Sequence, residues 1–127
     1  MPDDRRLRAG WGTSHPAYWL TMRWLRRKQR AGTTRRADLD DRDHLEAWAA
    51  GRRGVEAYLE PRTTVTDTTM MLIDGTGEWT RRRVPSEEIA RGFAKRLGIP
   101  CYEVAATGYP QRKRDYDARR AAEQKRS

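Results

Sequence analysis

Only one cysteine, Cys101, occurs in the chain, so no intramolecular disulfide can form and a secreted cross-linked scaffold is excluded. Histidine is almost as scarce. His15 and His44 sit in separate segments with no ligand-like spacing to each other or to Cys101, which leaves no zinc motif. No run of apolar residues approaches the roughly 20 that a membrane helix needs, and the opening MPDDRRLRAGWGTSHP lacks the apolar core of a signal peptide. The expected location is the cytoplasm. No phosphate-cradling glycine loop is present either. Gly75 and Gly77 join two strands and do not lead into a helix, so there is no helix N-terminus to hold a pyrophosphate.

What the chain has in abundance is positive charge. In 127 residues, 27 Lys and Arg stand against 18 Asp and Glu for a formal charge of +9, and 23 of the 27 cations are arginine. A guanidinium is planar and weakly hydrated, and its forked donors match phosphate oxygens and stack on bases. The length suits one domain. With 36% hydrophobic and 35% charged residues, the apolar material fills one small core and leaves solvated arms.

Three parts are expected: a basic N-terminal arm over residues 1–39, an α+β domain over 40–108, and a basic C-terminal tail or helix over 109–127. Within the arm, residues 16–30 interleave Tyr18, Trp19, Met22, Trp24 and Leu25 with cations, as in a short amphipathic helix with Ser14 as its cap. A second helix is expected from near Asp40, where Asp40, Asp41 and Asp43 crowd a first turn, to Gly51 or Gly54, with Leu45, Trp48 and Ala49 on its apolar face.

From Gly54 the period changes to two. Val55, Ala57 and Leu59 alternate with Glu56, Tyr58 and Glu60 in a half-buried strand ended by Pro61. TTMMLI reads as a central strand, and Asp74-Gly75-Thr76-Gly77 reverses the chain into EWTRRRV, whose consecutive arginines mark an edge strand. Ser86 caps a helix with Ile89, Phe93 and Leu97 on one stripe, stopped by Gly98. Residues 99–105 read as a fourth strand, parallel to the third through a right-handed crossover. The sheet is therefore a small mixed one of three or four strands with one or two packed helices.

Three basic clusters are the candidate sites. The first holds Arg23, Arg26, Arg27, Lys28 and Arg30 beside Trp24; the second Arg81, Arg82 and Arg83 beside Trp79; the third Arg112, Lys113, Arg114, Arg119 and Arg120 around Tyr116. Cations that neutralise phosphates release counterions, and exposed rings beside them stack on unpaired bases. Together they point to non-catalytic binding of nucleic acid, RNA or the ribosome by preference. No catalytic residue, metal or cofactor is expected. Cys101 falls in a buried strand as a small packed hydrophobe, and the carboxylates Glu56, Glu60, Asp67, Asp74 and Glu78 are scattered.

Two resemblances arise from these residues. GVEAYLEPRTTVTDTTMMLIDGTGEWTRRRVPSEEIARGFAKRLGIPCYEVAATGYPQRKRDY, residues 54–116, resembles a family of short uncharacterised actinobacterial proteins often labelled oxidoreductase. That label implies a small redox enzyme as the alternative function and carries over no site residue. LIDGTGE at 72–78, the helix from Ser86 to Gly98, Tyr102-Glu103-Val104 and the basic Asp115-Tyr116 segment are similar in order to the N-terminal domain and linker of bacterial translation initiation factor 3. This second resemblance implies a small α+β domain followed by a basic helix that binds ribosomal RNA.

Overall fold

The structure, a computed structural model, describes residues 35–126. The helix expected at residues 16–30 and the first basic cluster lie outside the described residues. Within them the fold is α+β, a four-stranded mixed sheet with helices on both faces.

Helix α1 spans Arg35–Ala50, beginning five residues before the Asp40 start expected from the acidic cluster. Arg35, Arg36, Ala37 and Leu39 are all adequate helix formers, and no Gly or Pro interrupts them, so the helix propagates back past the aspartates. Its buried Leu45, with Trp48 and Ala49 beside it, faces the sheet. Strands β1 (Glu56–Glu60), β2 (Thr69–Ile73) and β3 (Trp79–Arg83) form an antiparallel meander. The tight Asp74 to Gly77 turn is closed by Asp74 itself, whose Oδ1 accepts from the Thr76 backbone N–H at 2.9 Å and from the Thr76 hydroxyl at 2.6 Å.

Helix α2 (Glu87–Leu97) starts and stops as the sequence dictates. The Ser86 hydroxyl accepts from the Ile89 backbone N–H at 3.2 Å, and Gly98 at φ 74° takes the left-handed cap. Its Ile89, Ala90, Phe93 and Ala94 join Leu45, Ala57, Leu59, Met70, Leu72 and Val84 in the main core. Each large side chain buried there stabilises the fold by about 1.5–3 kcal/mol.

Strand β4 departs from expectation. It is only three residues, Cys101–Glu103, and pairs in parallel with β1, giving the order β3-β2-β1-β4. It runs in the same direction as β3, as expected, but two strands lie between them. Residues 104–107 leave the strand and coil into the short helix α3 (Val104–Thr107), which lets Val104 pack on the second face of the sheet against Tyr58, Met71 and Ile73. The β3 edge position holds, and β4 forms the other edge.

The C-terminal segment is helix α4, Gln111–Arg126. Its first half docks over the β2–β3 turn. At Gly77, with φ 97°, a Cβ would stand 2.1 Å from the carbonyl oxygen of Arg112, so glycine is required there by both backbone angle and space.

Candidate nucleic-acid interface

The outward alternation of β1 places Glu56, Tyr58 and Glu60 on the face opposite the main core, where two carboxylates become the anchors of a polar network. Glu56 accepts from the Tyr58 hydroxyl at 2.9 Å and from Arg112 at 2.7 Å. Burial alone would raise its carboxyl, but those two donors outweigh burial and hold it below the ordinary value. The Tyr58 phenol, buried and already donating to that carboxylate, is pushed up to about 12. Glu60 accepts from Thr69 at 2.6 Å, takes a two-pronged contact from Arg81 at 2.7 and 2.8 Å, and receives the Tyr109 hydroxyl. Burial again opposes ionisation there, and the donors prevail.

This geometry decides what the second cluster does. Arg81 is held by Glu60 through two hydrogen bonds, whereas Arg82, 3.5 Å from Asp41, and Arg83, 3.9 Å from Asp67, form looser pairs with their side chains about two-fifths exposed. Trp79 is not an open stacking platform. Its Nε1 donates to Asp117 at 2.8 Å, and Lys113 and Arg81 sit 4.8 and 5.2 Å from its ring. These contacts and its packing on the Tyr58, Met71 and Ile73 cluster tie the ring to the fold.

The third cluster divides. Arg112 bonds Glu56 and, through Nε, the Asp74 carbonyl at 2.8 Å; Lys113 bonds Asp117 at 2.6 Å; and Tyr116 packs beside Gly77. These residues fasten α4 to the sheet. Arg114, Arg119, Arg120, Lys125 and Arg126 remain on the exposed surface of the helix. Arg114 reaches only Gln111 at 3.3 Å, Arg119 the Thr76 carbonyl at 3.4 Å, and Arg120 approaches Glu123 at 3.8 Å. Exposed pairs at such distances contribute little to stability and leave the charge available to a ligand.

The charge is correspondingly uneven. Over residues 35–126 there are 19 Lys and Arg against 16 Asp and Glu, while α4 alone has seven against three. The rest of the described chain therefore carries 12 against 13, so its net positive charge resides on α4. Residues 1–34 add eight cations against two aspartates.

No three His, Cys, Asp or Glu side chains among the described residues are placed to hold a metal ion. Asp74 and Glu78 share Arg52, which also lies 4.1 Å over the Trp48 ring. Cys101 is half-buried against the core, and burial pushes its thiol up. His44 bonds the Thr80 hydroxyl at 2.6 Å, and burial followed by the charge of Arg82 lowers its proton affinity. No helix among the described residues is long and apolar enough to cross a membrane.

Sequence reasoning missed the carboxylates that hold Arg81 and Arg112. The signal was present in the alternation of β1: two glutamates flanking Tyr58 on one face need cationic partners once anything covers that face. Comparison with protein-family models, with curated proteins and with solved structures finds no match for this chain.

Proposed function

We propose that this is a non-catalytic, cytoplasmic nucleic-acid-binding protein, RNA or the ribosome being the favoured partner, and that α4 is the element of the described fold that meets it. The observation that carries the reading is the concentration of net charge on a helix with no buried residue, while the sheet beneath it is close to charge-balanced. A phosphate backbone is the partner that an arginine-rich, solvent-facing helix complements, because each neutralised phosphate releases a counterion. Arg23, Arg26, Arg27, Lys28 and Arg30 of the N-terminal segment are proposed to add to the same interaction. The similarity of the sequence to the initiation-factor domain and linker points the same way and rests on the sequence alone.

The test is purification of the full chain at low ionic strength. It should carry nuclease-sensitive material absorbing at 260 nm and lose it as salt rises, with a slope of log affinity on log salt that reports several phosphate contacts. Protein free of nucleic acid at low salt, with no measurable affinity for RNA or DNA, would sink the proposal.

A further inference from the structure

We infer that α4 grips the phosphate backbone of double-helical nucleic acid and does not read unstacked bases; this rests on the nucleic-acid reading above and assigns it a substrate class. Recognition of single strands needs exposed rings beside the cations. The rings near α4 are committed elsewhere. Trp79 is bonded to Asp117 and flanked by Lys113, Tyr109 donates to Glu60 and lies 4.6 Å from the Lys113 ammonium, and Tyr116 faces Gly77. The exposed aromatic among the described residues is Tyr102, which lies against Tyr58 with ring centroids 5.3 Å apart. It belongs to β4, at the sheet edge opposite the β3 strand that Asp117 bonds, so roughly three strand spacings of about 4.8 Å separate it from that end of the helix.

The solvent side of α4 has the opposite character. At about 100° per residue, Arg114, Ala118, Ala121 and Lys125 share the stripe facing away from the docked Arg112 and Tyr116. Arg126 is the next cation round from that stripe, while Arg119 and Arg120 project from the side of the helix that carries Arg112 and Tyr116, and Ala118, Ala121 and Ala122 are exposed beside the stripe's cations. The short alanine side chains let a rigid backbone approach while the long cations reach to either side. From Arg114 to Lys125 the stripe is ~16 Å long at about 1.5 Å per residue, enough to follow several successive phosphates of a duplex. Arginine forks hold phosphate oxygens without regard to base identity, so sequence preference should be weak.

The experiment is fluorescence anisotropy on the full-length protein with three labelled probes: an RNA duplex of about 16 base pairs, the length a double-stranded-RNA domain spans, the equivalent DNA duplex, and a single-stranded oligouridine of the same length. An Arg114→Ala/Lys125→Ala/Arg126→Ala triple variant should weaken duplex binding by at least about tenfold and reduce the salt slope by about 2–3, while changing oligouridine binding no more than ~2-fold. Trp79→Phe should leave duplex affinity within ~2-fold. All three altered cations are exposed, and Arg114→Glu/Lys125→Glu, which keeps the helix formers, should weaken duplex binding further. Equal or greater loss on the single strand, or unchanged duplex binding in both variants, overturns the inference while the wider nucleic-acid reading stands. Failure of the wild-type chain to bind any of the three probes overturns both. The RNA and DNA arms separate the two sources of duplex phosphate.

Discussion

The indole Nε1 of Trp79 donates to Asp117 Oδ1 at 2.8 Å across 38 residues of chain, joining the first residue of the edge strand to the middle of the C-terminal helix. Through this bond a segment with the composition of a solvated tail becomes part of the fold. Asp117 also accepts from Lys113 at 2.6 Å, and its carboxyl is held low because those donors outweigh the modest burial. Asp117→Ala should therefore loosen α4 without unfolding the sheet. Amide hydrogen exchange across residues 111–120 should accelerate clearly, with global stability falling by only about 0.5–1.5 kcal/mol. Unchanged exchange in those amides would show that the bond does not hold the helix.

Gly77→Ala attacks the same docking from the turn. The added Cβ meets the Arg112 carbonyl oxygen at 2.1 Å, and φ 97° is a region alanine avoids. Two costs combine there, so chemical denaturation should show a loss of about 2–3 kcal/mol. Gly51→Ala, where nothing lies within 4 Å of the new methyl, is the control and should be close to neutral.

Glu60 is the acceptor for three donors at once, from Arg81, Thr69 and Tyr109. Glu60→Ala strands all three on a partly covered face, and a loss of about 2–3 kcal/mol is expected in equilibrium denaturation. Because the folded-state carboxyl titrates below its ordinary value, its contribution is complete above the unfolded value near 4.3 and disappears as pH falls through the folded one. Glu60→Gln should accordingly flatten the drop in melting temperature below about pH 4.5.

His44 acts at milder pH. Burial first, and Arg82 second, lower its proton affinity in the folded state, so the unfolded chain binds the proton more readily. Stability should begin to decline as pH falls below about 6.5, the unfolded value, and stop declining from this cause below the folded one. Between pH 7 and 5 the melting temperature should fall in the wild type and fall less in His44→Gln. Equal slopes in the two proteins would remove His44 from the account.

Much of the domain was legible because its signals are local. Ser86 and Gly98 bracket α2, the period-two alternation of residues 55–60 gives β1 its two faces, and the Asp74 to Gly77 turn forces the hairpin. Each of these depends on residues a few positions apart. Three consecutive arginines likewise marked β3 as an edge, where the order of strands places it.

What the chain order could not reveal is which charges are spent inside the fold. Arg81, Arg112 and Arg114 look alike in sequence, yet the first two are paired with Glu60 and Glu56 and the third faces solvent. Trp79 reads as a free ring until Asp117 arrives beside it. The amino-acid sequence by itself determined the elements, the turns and the surplus of cations, because propensity, capping and composition are properties of neighbours and of sums. The tertiary structure decided the partner of β4, the docking of α4 and the division of the arginines, because a carboxylate 21 or 56 residues away neutralises a guanidinium only when folding brings the two within hydrogen-bond reach.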